Sequence, residues 1–209
     1  MIRLYDHELC DDCYKVRLLL SLLGLEWETR RIDFHPGREH ESEWFLRLDP
    51  LGRIPVIEDG DCTLRDAQAI LVYLAAKYDE GRRWYPGGDA RTCGEVAMWL
   101  SFAGALTPTA SAARLHAGFA HDLDADRARS GAHRLFRVLD EHLWFAEQEG
   151  RDWLCRPGHP TIADIACFPG VVLSEEGGIS RMPYPAIRRW TDRVKRIPGF
   201  VPMPGIFPA

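Results

Sequence analysis

The chain has 209 residues, of which 46% are apolar and 27% are charged, and this composition is typical of a globular protein with a substantial core. Its formal net charge of −5 argues against a protein that binds nucleic acid or an anionic membrane surface. No apolar run is long enough to span a membrane and no signal-peptide pattern opens the chain, so we expect a soluble, cytoplasmic protein.

Residues 1–80 alternate patterns typical of strands and helices. A helical pattern ends at Gly24, a common helix stop, and we expect Lys15 and Arg17 on the solvent side of that helix. Asp59-Gly60-Asp61 joins two short strand patterns and predicts a hairpin. The order of elements predicts a small mixed sheet with helices: a strand (2–5), a helix (13–23), a strand (27–34), a short helix at most (43–48), two strands (55–58 and 62–64) and a helix (66–78).

Residues 88–209 show no strand pattern, so we expect a second, all-helical domain after a domain that covers 1–80. Pro86-Gly87-Gly88 is the best linker between them. Thr161 and Asp164 form a capping-box pattern that predicts the start of a buried helix. Apolar residues recur at helical spacing over four segments, 90–106, 126–149, 161–173 and 185–196.

Two cysteines, Cys10 and Cys13, lie where the first strand gives way to the first helix. A thiolate at this place gains from the helix dipole and from unpaired backbone N–H groups, which favours thiol or redox chemistry. Asp11 and Asp12 also stabilise the start of the helix, but their negative charges oppose ionisation of a neighbouring thiol.

The remaining cysteines are isolated in sequence, and the eight histidines are scattered. Cys167 lies among apolar residues and is expected to be a small core residue. A structural zinc site needs about four ligands, and no second Cys-x-x-Cys accompanies the first. We therefore expect no metal site.

Four segments follow one another along the chain: CYKVRLLL (13–20), DPLGRIPVI (49–57), LRDAQAILVYL (64–74) and TIADIA (161–166). In this order they resemble cytosolic glutathione transferases of the bacterial type. The resemblance implies a thioredoxin-like α/β N-terminal domain, an all-α C-terminal domain, glutathione as cosubstrate, a small hydrophobic electrophile as second substrate, and a homodimer.

The resemblance also implies a glutathione-binding site. Pro55 would be a cis-proline whose neighbour Ile54 offers backbone N–H and C=O groups to the cysteinyl part of glutathione; the alternative is a trans-proline at the start of an edge strand. Asp66 would bind the γ-glutamyl amine, unless it only caps the helix that it precedes. Arg53 and His40 lie where family members often contact the glycine carboxylate.

One residue departs from the family pattern. In the family, the residue at the position after Asp66 is commonly a serine, whose hydroxyl donates to the γ-glutamyl carboxylate. Here that residue is Ala67. Backbone N–H groups at a helix start still bind a carboxylate, but the missing hydrogen bond to a charged group is worth about 1.5–3 kcal/mol. We therefore expect weaker glutathione binding or a changed substrate.

Cys10 aligns with the position that many family members fill with serine. Cys10 is expected to be the reactive residue, and Cys13 either a resolving thiol or, as we favour, a packing residue. Tyr5 is a further candidate in some classes, but we expect a sheet residue. We expect the second-substrate pocket between the two domains, lined by the first helices of the C-terminal half. Trp99, Phe102 and Arg114 are plausible lining residues, but a core tryptophan and a surface arginine are the stronger expectations.

Three functions remain open, in this order. The first is a transferase in which the glutathione thiolate attacks small electrophiles. The second is a glutathione-dependent thiol/disulfide oxidoreductase that uses Cys10. The third is a non-catalytic, transferase-like binding protein, which Ala67 and the two aspartates make credible.

Overall fold

A four-stranded mixed sheet forms the N-terminal part of the computed structural model, which describes residues 1–119 and 123–206. The strand order is β2-β1-β3-β4, with β1 parallel to β2 and antiparallel to β3, as the predicted mixed sheet requires. The predicted hairpin is present and pairs β3 with β4. The strands are β1 (Ile2–Asp6), β2 (Trp27–Arg31), β3 (Val56–Asp59) and β4 (Cys62–Arg65).

Helices make up the rest of the regular structure. Every predicted helix is found, and its ends differ from the prediction by two residues at most. The C-terminal part is helical, as predicted, but it also contains a π-helical segment (Thr107–Ser111) and a helix that the sequence pattern did not indicate. The helices are α1 (Asp11–Leu22), α2 (Glu43–Leu46), α3 (Ala67–Tyr78), α4 (Ala90–Leu106), α5 (Ala112–Phe119), α6 (Ala125–Gln148), α7 (Ile162–Val172) and α8 (Pro185–Lys195).

One large core joins the sheet to the helical part. Helix α1 packs on α3 and α7, and every residue of α7 is buried. The prediction that Lys15 faces solvent is therefore wrong, since α7 encloses that side of α1 and leaves Lys15 only 2% exposed. Arg17 is also mostly buried, because its guanidinium pairs with the buried carboxylate of Asp6.

The capping box predicted at the start of α7 is confirmed. Asp164 is fully buried, and its Oδ2 accepts from the Thr161 N–H at 2.9 Å. Its Oδ1 accepts from the backbone of Leu154 at 3.1 Å and from Trp190 Nε1 at 2.9 Å. Burial raises the pKa of this carboxyl group, and the hydrogen bonds tie α7 to α8 and to the preceding loop.

A second, smaller core lies where α2 covers the sheet. Tyr5 packs there with Phe45, Ile32 and Val56, and its hydroxyl donates to Glu58 Oε2 at 2.9 Å. Tyr5 is thus the sheet residue that the sequence favoured. Among the residues described, no helix has the length and hydrophobicity needed to cross a membrane.

Candidate functional site

A cleft of about 600 Å³ opens between the sheet and the helical part. The loop between β1 and α1 forms one wall of the cleft. The loops that follow β2 and precede β3 form a second wall, and the π-helical segment together with α5 forms the third. Four of the eight predicted site residues line it, namely Cys10, His40, Arg53 and Ile54.

Cys10 is the N-cap residue of α1, and its sulfur lies at the N-terminus of the helix. The Sγ atom accepts from the backbone N–H of Cys13 at 3.4 Å, and the thiol is partly exposed to the cleft. This is the arrangement in which a helix terminus stabilises negative charge on sulfur.

Cys13, by contrast, is fully buried beneath the first turn of α1. Burial, together with the neighbouring Cys10, raises the pKa of the Cys13 thiol well above its usual value. Both cysteines are free thiols. The structure therefore places Cys13 in the core, where a thiolate is strongly disfavoured, and not in the cleft.

The two aspartates after Cys10 are each bound to a partner. Asp11 Oδ2 accepts a hydrogen bond from the hydroxyl of Ser111 in the helical part. Asp12 Oδ1 lies 2.5 Å from the buried Lys15 Nζ. Burial, followed by the charge of Asp12, raises the pKa of Asp11. The charges that oppose a Cys10 thiolate are consequently offset by a nearby cation.

Asp49 shapes the loop that carries Arg53 and Ile54. Its fully buried carboxylate accepts from the backbone N–H groups of Arg53 at 2.8 Å and Leu51 at 3.4 Å. Gly52 lies between them with φ +62°, and a Cβ there would come within 2.9 Å of the backbone oxygen of His40. The sequence pattern did not single out Asp49, although an aspartate ahead of a Gly-containing turn is a recognised signal.

The peptide bond between Ile54 and Pro55 is cis, as the resemblance implied. Pro55 is buried, and the β3–β4 ladder ends with the pair Val56 and Arg65. Pro55 comes just before β3 and Asp66 just after β4, so the two residues lie side by side at this end of the ladder.

Asp66 and Ala67 begin α3 but do not line the cleft itself. Asp66 is exposed, has a φ of 75° and caps the helix, with Oδ1 accepting from the Ala69 N–H at 3.1 Å. The capping role considered for Asp66 is therefore present. Ala67 is only 3% exposed, and its methyl group offers no donor at the first position of α3.

His40 stacks on Phe34, with ring centroids 3.9 Å apart and an interplanar angle of 17°. Its Nε2 lies 3.5 Å from Glu41 Oε1, and its buried Nδ1 has no hydrogen-bond partner among the residues described. Burial lowers the pKa of His40, which favours the neutral imidazole.

The helical wall comes from the first part of the C-terminal half, as expected, but not from the residues considered for it. Ser111 and Leu115 line the cleft, whereas Trp99 and Phe102 do not. Trp99 is buried and packs on Phe102, with ring centroids 5.0 Å apart. The expectation of a surface arginine is wrong for Arg114.

Arg114 is 8% exposed because its guanidinium bridges the two parts of the chain. Its Nε pairs with Glu176 at 2.5 Å, and a second nitrogen donates to the Leu9 carbonyl at 2.7 Å. The residue before Cys10 is thus fixed from the helical side. Within residues 1–119 and 123–206, no cluster of His, Cys, Asp or Glu has the arrangement of a metal site.

Comparisons with known proteins agree with this architecture. The family model described as glutathione S-transferase, N-terminal domain, matches residues 1–76. Glutathione S-transferase verG from Clonostachys rogersoniana is 31% identical over 193 residues, which cover 87% of this chain and 78% of that protein. The chain belongs to the glutathione S-transferase family.

Solved structures of the family superpose over nearly the whole chain. A glutathione S-transferase from Pseudomonas fluorescens has a TM-score of 0.87 at 28% identity and covers 97% of this chain and 98% of its own. A glutathione transferase homologue from Lodderomyces elongisporus, solved with two glutathione molecules per subunit, has a TM-score of 0.84 at 26% identity, covering 95% of this chain and 94% of its own. The fold, with its thioredoxin-like N-terminal part, is therefore that of a glutathione transferase.

Proposed function

We propose that this protein is a glutathione transferase that activates the thiol of glutathione beside Cys10. The observation that carries the proposal is the position of the Cys10 sulfur, at the N-terminus of α1 and facing a cleft of about 600 Å³. A cleft of this size accommodates glutathione with a small second substrate.

The residues around the cleft supply contacts for each part of glutathione. The backbone of Ile54, before the cis-proline Pro55, would pair with the cysteinyl unit. Arg53 would bind the glycine carboxylate, with the neutral His40 as a hydrogen-bond donor. Asp66, which follows the last pair of the β3–β4 ladder, would accept from the γ-glutamyl amine.

The chemical step is a displacement or addition by sulfur. The glutathione thiol loses its proton to solvent, and the thiolate is held by the N-terminus of α1 and by the S–H donor of Cys10. The thiolate then forms a carbon–sulfur bond with the electrophile. In a displacement the leaving group departs as an anion, and in an addition to a double bond the carbanion that results takes a proton from solvent. The electrophile would enter along the wall formed by Ser111 and Leu115.

A thiol/disulfide oxidoreductase is the second candidate, and the free, partly exposed thiol of Cys10 favours it. In that reaction Cys10 attacks a mixed disulfide of glutathione and releases the partner thiol, and a second glutathione then releases oxidised glutathione and restores Cys10. The buried Cys13 is unsuited to act as the resolving thiol. A non-catalytic binding protein is the third candidate, because Ala67 removes one expected contact.

Two substitutions at one position distinguish these functions. We expect Cys10→Ser to keep conjugation of 1-chloro-2,4-dinitrobenzene within about tenfold, since a hydroxyl still donates to the sulfur, while Cys10→Ala loses more. Both variants would abolish reduction of a glutathione mixed disulfide if Cys10 is the nucleophile. Cys93→Ala, on α4 and away from the cleft, is the matched control.

The outcomes separate the three candidates. Disulfide reduction that depends on Cys10, without any conjugation, would establish the oxidoreductase. No glutathione binding by calorimetry at millimolar ligand would contradict both enzymatic functions. Mass spectrometry after incubation with oxidised glutathione tests directly for an adduct on Cys10.

We also propose that the protein forms a homodimer, as many members of the family do. Exposed apolar side chains on α4 and α6 support this, among them Met98, Val138 and Phe145. Sedimentation equilibrium measures the mass in solution, and a monomer at micromolar concentration would contradict the proposal.

A further inference from the structure

One hydrogen bond in the cleft joins the first helix to the helical wall. The hydroxyl of Ser111, in the π-helical segment, is bonded to Oδ2 of Asp11 at the start of α1. Both residues line the cleft, and Asp11 immediately follows Cys10, whose sulfur lies at the N-terminus of α1. A carboxyl group and a hydroxyl group are therefore hydrogen-bonded to each other beside the place proposed for the glutathione sulfur.

The surroundings of Asp11 differ from those of its neighbour Asp12. Asp12 pairs with the buried Lys15, whereas the Asp11 carboxyl accepts from the Asp12 N–H at 3.1 Å and from Ser111. Burial and then the charge of Asp12 raise the pKa of Asp11, and the cations that face it, Lys15 on α1 and Arg114 on α5, offset only part of that rise. The neutral acid is thus more accessible at Asp11 than at an exposed aspartate.

The charge state of Asp11 decides what the Ser111 hydroxyl can do. A serine hydroxyl has a single proton, and a carboxylate at Asp11 accepts that proton in a hydrogen bond. When Asp11 is protonated, its own O–H donates to Ser111 Oγ and the hydrogen bond reverses. Ser111 lines the cleft, so its proton is then available to an acceptor atom of the second substrate.

We propose that Ser111 and Asp11 together protonate the second substrate, which makes α,β-unsaturated carbonyl compounds a preferred class of electrophile. This role rests on the proposed function, in which glutathione is bound beside Cys10. Ser111 is the catalytic residue of the pair, because its hydroxyl contacts the carbonyl oxygen of the substrate. Asp11 acts through Ser111, which it orients and resupplies with a proton.

The atoms and charges balance as follows from a bound glutathione thiolate. Its sulfur bonds to the β-carbon of the substrate, and the displaced electron pair ends on the carbonyl oxygen as an enolate. Ser111 gives its proton to that oxygen while the Asp11 proton passes to Ser111 Oγ. The enol then becomes the ketone by taking a proton from solvent at carbon and releasing its O–H proton, and the Asp11 carboxylate is reprotonated from solvent.

A displacement on an aromatic ring makes no such demand, because its leaving group departs as an anion. The two reaction types can therefore be compared, with 4-phenyl-3-buten-2-one as the enone and 1-chloro-2,4-dinitrobenzene as the displacement substrate. We expect Ser111→Ala and Asp11→Asn each to lower the ratio of kcat/KM for the enone to that for the dinitrobenzene about tenfold or more. The ratio cancels effects on glutathione binding and ionisation, which both reactions share.

A matched control is available on the same wall of the cleft. Thr107→Val removes a hydroxyl that also lines the cleft, and it should leave the ratio within about twofold. Thermal unfolding verifies that the Ser111→Ala and Asp11→Asn variants are folded.

A pH profile separates proton donation from a merely structural contact. In the wild type the ratio should fall as the pH rises from about 5 to about 8, because Asp11 loses the proton that it must deliver. In Asp11→Asn the ratio should stay level, since an amide does not titrate. Equal losses with both substrates, or a wild-type ratio that is independent of pH, would overturn this role and leave the proposed function intact. If the wild type conjugates neither substrate, the proposed function fails and this role fails with it.

Discussion

Lys15 Nζ lies 2.5 Å from Asp12 Oδ1 in the first turns of α1, and the lysine side chain is only 2% exposed. Burial on its own would lower the pKa of Lys15, but the charges of Asp12 and Asp11 outweigh it and raise that pKa. The lysine therefore carries a positive charge in the core beside the two carboxylates that follow Cys10 in sequence, and it offsets them.

Lys15→Met should destabilise the fold and slow the reactions of Cys10. Removing one partner of a largely buried pair leaves an uncompensated carboxylate, which costs about 3 kcal/mol of unfolding free energy. The unneutralised charge also opposes the thiolate, so alkylation of Cys10 by iodoacetamide at fixed pH should slow severalfold. Urea unfolding and mass spectrometry of the alkylated protein measure the two effects.

Two further variants make the Lys15 experiment specific. Adding Asp12→Asn to Lys15→Met should recover part of both losses, because the unpaired charge is then absent. Arg47→Met breaks an ion pair between two exposed side chains, Arg47 (72% exposed) and Glu43 (88% exposed). This substitution should cost less than about 1 kcal/mol of unfolding free energy. Equal losses in Lys15→Met and Arg47→Met would show that burial of the lysine pair is unimportant.

Asp59 should make stability depend on pH in the acid range. Its Oδ2 accepts from three donors, Lys77 Nζ at 2.7 Å, Tyr73 OH at 2.9 Å and Tyr78 OH at 2.6 Å. Burial would raise the pKa of Asp59, but these hydrogen bonds, led by that from Lys77, lower it from 3.8 to about 2. A pKa that is lower in the folded state stabilises the protein at every pH above the pKa of the unfolded state. This contribution is lost as the pH falls through 2.

The measurement is the difference in unfolding free energy between the wild type and Asp59→Asn. We expect about 2 kcal/mol at pH 7, since one pKa unit corresponds to about 1.4 kcal/mol, and a difference that shrinks from pH 4 to pH 2. Asp61→Asn, in the same hairpin turn and exposed, should change little at either pH. A difference that stays constant down to pH 2 would contradict the assignment.

The sequence predicts those parts of the fold that local patterns determine. The hairpin at Gly60 and the capping box at Thr161 follow from short-range chemistry, and both are present. Burial of Lys15 follows from the packing of α7 on α1, and a lysine within a helical pattern gives no sign of it. Helix α5 was missed because it has only 8 residues, which is shorter than the stretch over which a helical repeat of apolar residues is recognised.

The residues of the candidate site also fall into two groups, those that local motifs predict and those that only tertiary packing brings to the cleft. Cys10, Arg53 and Ile54 belong to motifs near the ends of the first and third strands, and the sheet brings them to one cleft. Ser111 reaches that cleft from a position 100 residues beyond its hydrogen-bond partner Asp11. Such a contact depends on tertiary packing and has no local signature.

Asp49 should control glutathione binding through the loop that it organises. Asp49→Asn keeps the shape of the side chain but removes its charge and replaces one acceptor oxygen with a donor. We expect a loss of about 1–3 kcal/mol in stability and about tenfold weaker glutathione binding, because Arg53 and Ile54 lose a fixed backbone. Calorimetry and urea unfolding report the two quantities.

A matched control for Asp49 lies in the neighbouring loop. Asp33 Oδ1 accepts from the Gly37 N–H at 3.0 Å in an exposed turn, so Asp33→Asn removes a similar turn contact outside the loop of Arg53 and Ile54. It should leave the glutathione affinity within about twofold. Weakening by Asp33→Asn equal to that by Asp49→Asn would show that the effect is not specific to that loop.

Ala67→Ser should strengthen glutathione binding. Ala67 is the first residue of α3 and follows Asp66, so a serine there would place a hydroxyl beside the proposed contact of Asp66 with the γ-glutamyl group. A hydrogen bond to the charged γ-glutamyl carboxylate is worth about 1.5–3 kcal/mol, and we expect an affinity gain of about tenfold or more by calorimetry. Ala69→Ser, exposed in the same turn, should give no gain, because its hydroxyl would face solvent. If the two variants bind glutathione equally, the γ-glutamyl group does not lie at the start of α3, and the proposed orientation of glutathione is wrong.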